Sequence, residues 1–160
     1  MNIKGLGVGV VGMVVAASLA MAAGDVQLTV AQKAPYGKYL ADSRGHALYL
    51  FSTDTPGRSS CADACAKAWP PLTITGTSAE PAGGPGVNSG MIGTMQRSDG
   101  SLQVTYNGWP LYGFVQDKGP GQIHGQDKHG FGGEWYLMSP SGERVGGEQK
   151  ASTEGAKKRY

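Results

Sequence analysis

Two decapeptides set 63 residues apart constrain this chain more than any other feature. Residues 45–54 read GHALYLFSTD and residues 108–117 read GWPLYGFVQD. Gly, Leu, Tyr, Phe and Asp coincide without a gap, and each copy is followed later by a tryptophan, Trp69 and Trp135. A repeat of this kind marks a duplicated supersecondary unit. Two copies are too few for an open solenoid, so the units are expected to pack together around one shared core.

The local pattern within each unit is that of short strands and turns. Asp99-Gly100 and Asn107-Gly108 are hairpin pairs, because both residue types tolerate the positive φ of a type I′ turn. Between them Ser101–Tyr106 alternates apolar and polar side chains, as a half-buried strand does. Met91–Gln96, Trp109–Phe114 and Glu134–Met138 are the other expected strands of the second unit, with Pro110 at a strand start or free edge. In the first unit Val26–Val30, Lys38–Ala41, Ala47–Phe51 and Leu72–Ile74 fill the same places, with Asp42–Gly45 as a turn. One short helix is expected near residues 61–68: Ser60 is a suitable N-cap, alanines follow, and Pro70-Pro71 stops it. With 27 Gly and 9 Pro among 160 residues, the composition argues against a helical bundle and for short strands with many turns. The expected fold is mainly β: two related antiparallel meanders (about residues 26–75 and 91–139) packed into one domain at 23–140.

The ends of the chain read differently. Residues 1–22 combine Lys4, an uncharged apolar run from Gly5 to Leu19, and Ala20-Met21-Ala22, the pattern of a cleavable secretory signal peptide. The run is near the lower length for spanning a bilayer and carries glycines, which disfavours a permanent anchor. No cysteine stands at the cleavage site, so no lipid anchor is expected. Removal of residues 1–22 leaves 138 residues with 13 basic and 12 acidic groups. That balance excludes strong electrostatic binding of nucleic acid. Ser78–Gly90, rich in Gly, Pro and Ser, reads as a linker between the units. Residues 141–160 have almost no apolar side chains and read as a disordered tail. The expected location is the periplasm or the exterior of a bacterial cell, with no stable membrane anchor.

If Leu48–Phe51 is a strand, Tyr49 and Phe51 share one face and Leu48 and Leu50 the other. Tyr112 and Phe114 repeat that pattern. Asp54 and Asp117 then fall just past the strand ends, where a carboxylate accepts N–H bonds from the following loop and a Tyr hydroxyl can donate to it. This structural reading of Tyr49, Phe51, Asp54, Tyr112, Phe114 and Asp117 stands beside a second one, in which the Tyr/Asp pairs form a ligand site. The Tyr-x4-Asp signature, with an aromatic two residues after Tyr, resembles the bacterial secreted-repeat family of predicted lipoproteins, known by a Yx(F/W/Y)xxD motif in tandem. Cys61-x3-Cys65 followed by Trp69-Pro70-Pro71-Leu72, and Gln103–Tyr106 leading into Leu111-Tyr112, also match its pattern. The resemblance implies an exported protein and leaves its biochemical role open.

Three further groups are candidate sites. Cys61 and Cys65, the only cysteines, lie within disulfide reach if they sit i, i+4 on a helical turn. An exported pair can be a structural staple, a redox-active dithiol, or a soft-metal site with a His or Met. The Gly-rich stretch 115–133 holds His124, Asp127 and His129, ligand types for Zn or Cu(II); a bland surface loop is the competing reading. Trp109, Phe131, Trp135 and Tyr136 can line a binding groove beside it. No nucleophile elbow, phosphate-binding Gly loop, His-Glu-x-x-His or haem-attachment motif occurs. The sequence therefore points to an exported, non-catalytic interaction module of the cell envelope, with an unknown envelope protein or a small ligand as partner and no cofactor. The alternative is a periplasmic Cu- or Zn-binding or redox protein using the Cys pair or the His/Asp loop.

Overall fold

The computed structural model of the chain describes residues 26–75 and 80–146. The expected signal peptide and most of the expected tail lie outside the described residues. The elements in chain order are β1 (Gln27–Lys33), β2 (Gly37–Ala41), β3 (Tyr49–Phe51), α1 (Ala64–Ala68), β4 (Thr73–Ile74), β5 (Ala82–Gly83), a 3-10 turn (Ser89–Met91), β6 (Ile92–Gln96), β7 (Leu102–Tyr106), β8 (Trp109–Pro110), β9 (Lys128–Gly130) and β10 (Gly133–Leu137). The fold is mainly β and antiparallel, with one short helix, as the sequence leads one to expect. The parallel pairing of β1 with β5 is the exception.

The two units do not lie side by side; they interlace. β10, the last strand of the second unit, pairs with β3 of the first, with Leu137 opposite Tyr49. Conversely, the segment after Trp69 in the first unit pairs with the second: Pro71 bridges Tyr112, and β4 pairs with β7. At the centre Tyr49 and Tyr112 face each other in an antiparallel pair, exchanging N–H···O bonds of 2.8 and 3.0 Å. An approximate two-fold axis therefore passes between the tyrosines. Matching bonds on either side follow it: Leu40 N–H donates to Met138 O and Val104 N–H to Leu72 O, both 2.8 Å.

This central ladder is covered on both faces. Tyr49, Phe51, Tyr112, Phe114, Trp69, Trp135 and the two cysteines form one apolar cluster. Leu48, Leu50, Leu111, Tyr106, Tyr136 and Met138 form the other. The strict alternation of the strand sends successive residues to opposite clusters.

Several local expectations are corrected. The helix begins at Ala64, not near 61, and Asp63 with φ 51° precedes it; Ser60 does not cap it, because its N–H and hydroxyl are held by Asp54 (2.7 and 2.8 Å). Asn107-Gly108 is a turn with φ 50° and 82° at its two centres, the I′ pattern. Asp99-Gly100 is not, since only Gly100 takes a positive φ (85°) and the side chain of Asp99 instead accepts from Ser101 N–H and Oγ. Strand geometry from Trp109 persists only through Pro110, followed by the bridge at Tyr112. Part of the expected linker is structured: Ala82 and Gly84 donate to Val26 O and Leu28 O, and Val87 packs on the leucine cluster. The first residues of the expected tail are also folded. Met138 bridges Arg144, Val145 N–H donates to Leu137 O (2.8 Å), and Val145 packs against the aromatic cluster.

Candidate functional site

The duplicated motif is exchanged between the units. Tyr49 donates to Asp117 Oδ2 and Tyr112 donates to Asp54 Oδ2, each at 2.6 Å. Each tyrosine thus serves the carboxylate of the other copy. The second oxygen of each Asp holds its own exit loop, as an Asx-type turn does. Asp54 Oδ1 accepts from Ser60, and Asp117 Oδ1 accepts from His124 N–H (2.9 Å) with His124 Nδ1 at 3.1 Å. All four groups are buried.

Each phenol oxygen also meets the opposite loop. Gly125 N–H donates to Tyr49 (3.2 Å), and Tyr112 lies 2.6 Å from Ser59 Oγ. Because the Tyr112 hydrogen goes to Asp54, Ser59 is the donor in that contact. A Cβ at Gly125 would lie 2.8 Å from both Trp69 and Tyr49, so only glycine lets the loop approach the phenol. Burial, first, and then the hydrogen-bonded carboxylate raise the pKa of both tyrosines far above the ordinary value.

Between the tyrosines runs an aromatic column. Trp69 and Trp135 stack at 3.9 Å with an interplanar angle of 1°. Phe114 stacks on Trp69 and Phe51 on Trp135, each at 4.1 Å. Tyr49 and Tyr112 close the column edge-on, against Trp69 at 5.4 Å and Trp135 at 5.2 Å. Every aromatic residue of the repeated motif is thereby placed in the interior.

The remaining sequence candidates fare unequally. Cys61 and Cys65 form a disulfide with Cα atoms 5.2 Å apart, but Cys61 lies before the helix, not on it. Trp135 and Tyr136 are buried and do not line a groove; strand alternation points them into the two clusters. Phe131 is exposed at the β9–β10 turn and Trp109 is half-buried. His124, Asp127 and His129 are not gathered. His124 leans on Asp117, Asp127 contacts Gln126, and His129 lies exposed on β9. Among the described residues no three His, Cys, Asp or Glu side chains form a group able to hold a metal ion.

Two of the clefts on the surface are related by the axis. One, of about 230 Å³, is lined by Asp42, Arg44, His46, Leu72 and Gly113. The other, of about 360 Å³, is lined by Leu50, Asn107, Trp109, Glu143 and Arg144. At the 63-residue offset Arg44 answers to Asn107, His46 to Trp109 and Leu50 to Gly113. In the first cleft His46 Nδ1 lies 3.4 Å from Asp42, beside Leu72 and the Pro70-Pro71 corner. In the second cleft Trp109 stands in the place of His46, and Arg144, on its wall, lies 5.1 Å over the ring of the buried Tyr136. The sequence paired His46 with Trp109 but gave no sign of Asn107, Glu143 and Arg144 as their neighbours, because the last two lie in the segment read as tail.

Fold and site together define a duplicated β domain whose copies exchange their final strands and share one aromatic–carboxylate core. The chain belongs to the family described as a secreted repeat of unknown function, whose model matches residues 23–73 and 93–138. Comparison with curated proteins and with solved structures finds no match. No helix among the described residues is long and apolar enough to cross a membrane.

Proposed function

We propose that this secreted repeat is a non-catalytic binding module of the cell envelope, periplasmic or secreted, and that its partner seats on the cleft around Trp109. One observation carries the reading. The Tyr, Phe, Asp and Trp groups that coincide between the copies are consumed by the core, whereas the two clefts, related by the same axis, have diverged. Architecture explains the residues that match; Trp109, which packs on the leucine cluster, also lines a cleft with Asn107, Glu143 and Arg144, where the first copy has a histidine. A flat aromatic face with adjacent donors and acceptors suits a neutral polar ligand or a protein side-chain cluster. No catalytic group or cofactor enters this reading.

The test is sedimentation of the purified protein with isolated envelopes. Saturable binding is expected, and Trp109→His, which installs the residue of the first copy, should weaken it at least tenfold. Equal binding by Trp109→His would refute the assignment of the cleft. A stoichiometric metal in the natively purified protein would instead favour a metal-carrying role.

A further inference from the structure

We infer that the cleft between Arg58 and Arg97 is a binding site for a tetrahedral oxyanion, a phosphate or a phosphate monoester. The cleft, of about 300 Å³, lies beside the disulfide loop; Ser59, Cys61 and Ser98 line it with the two arginines, and no carboxylate does. Arg97 is the anomaly. Its side chain is 6 % exposed, yet its nearest acid, Asp99, is 4.0 Å from Nε and 65 % exposed. Nε has no hydrogen-bond partner among the described residues. Nη1 donates to Gln103 Oε1 (2.6 Å) and Ser59 Oγ (3.1 Å), and Nη2 to Cys61 O (2.6 Å). All three acceptors are neutral. A buried guanidinium whose acid stands 4.0 Å away and largely in water is only weakly compensated, and a closer anion would favour it.

The other half of the molecule shows how much of this arrangement the fold requires. Lys33 stands 64 residues before Arg97, the same spacing that separates Leu40 from Val104. Lys33 Nζ donates to Gly121 O at 2.7 Å, clasping the loop of the opposite unit as Arg97 clasps Cys61. One amine and one carbonyl are enough for the clasp. At Arg97 the chain uses a guanidinium, buries it, and sets the exposed Arg58 beside it. The Arg58 guanidinium, the Nη2 hydrogen that Arg97 does not give to Cys61 and the Ser98 hydroxyl are donors on one cleft, a set suited to the oxygens of a phosphate.

The experiment is calorimetric titration of the full mature chain, purified in chloride buffer, with inorganic phosphate and separately with glycerol phosphate. Saturable one-to-one binding of either probe is expected, the tighter probe identifying the free ion or the ester as the source. Arg97→Lys keeps the clasp to Cys61 but gives up the bonds to Gln103 and Ser59, so it should melt below the wild type as a folded protein and should lose the phosphate-dependent rise in melting temperature. Arg58→Ala, at an exposed position, should weaken binding at least tenfold. No saturable heat up to about 10 mM probe, or wild-type affinity in both variants, overturns the inference. Trp109→His should leave phosphate binding unchanged, which separates this site from the envelope-binding cleft.

Discussion

Which carboxylate each tyrosine is energetically tied to can be measured. Tyr49→Phe removes the donor that Asp117 Oδ2 receives at 2.6 Å and the acceptor that Gly125 N–H uses at 3.2 Å. The Asp117 side chain is 1 % exposed, so water does not replace the lost donor. A hydrogen bond to a charged group contributes about 1.5–3 kcal/mol and an orphaned buried N–H costs about 1 kcal/mol. Tyr49→Phe should therefore lower stability by about 2–4 kcal/mol. The sharper quantity is the coupling in a double-mutant cycle. Tyr49→Phe with Asp117→Asn should couple by about 1.5–3 kcal/mol, although the residues are 68 positions apart. Tyr49→Phe with Asp54→Asn, within a single motif, should couple by no more than about 0.5 kcal/mol, since the two share no partner. Urea unfolding followed by near-ultraviolet circular dichroism gives both values. A larger coupling within the motif than across it would refute the exchanged pairing.

Two other outcomes follow from the same core. Tyr49 and Tyr112 have pKa values raised by burial and by their carboxylates, so their contribution is complete below the ordinary tyrosine pKa and is lost as pH rises above it. Stability should fall above about pH 10 by about 1.4 kcal/mol per pH unit for each tyrosine still protonated in the fold; urea midpoints measured from pH 9 to 11 should show this, and Tyr49→Phe should make the fall shallower. Trp135→Ala should cost about 3–5 kcal/mol and abolish the near-ultraviolet dichroism of the stacked Trp69–Trp135 pair, whereas an unchanged spectrum would contradict the column.

The duplication was legible because matching residues at a fixed spacing survive in the chain itself. So were the turn at Asn107-Gly108, where the residue types dictate φ, and the existence of the strand Leu102–Tyr106, though not its burial: Gln103 and Thr105 are covered and Leu102 is exposed, so the strand is not the half-buried one its alternation suggests. The exchange of Tyr49 and Tyr112 between carboxylates was not legible. A Tyr and an Asp five residues apart suggest a local partner, and only the spatial path of the chain after Trp69 and Trp135 redirects each hydroxyl. Trp135 and Tyr136 were misjudged as exposed because a short strand with polar neighbours does not reveal that both its faces are covered. Arg97 gave no sign at all: a single arginine before a turn looks like a solvated charge until the disulfide loop is seen to close over it. The loop with His124 and His129 collected ligand types by composition, but the bond from His124 to Asp117 and the β9–β10 hairpin direct them apart.

The interlacing of the copies also sets a timetable. β3, made early, has β10 as its lateral neighbour, and β10 ends at Leu137. The middle of the sheet therefore stays open until nearly the whole chain has emerged, and neither half can settle into its final shape ahead of the other. The keystone of the fold is thus among the last segments to be synthesised, and the first copy waits for it.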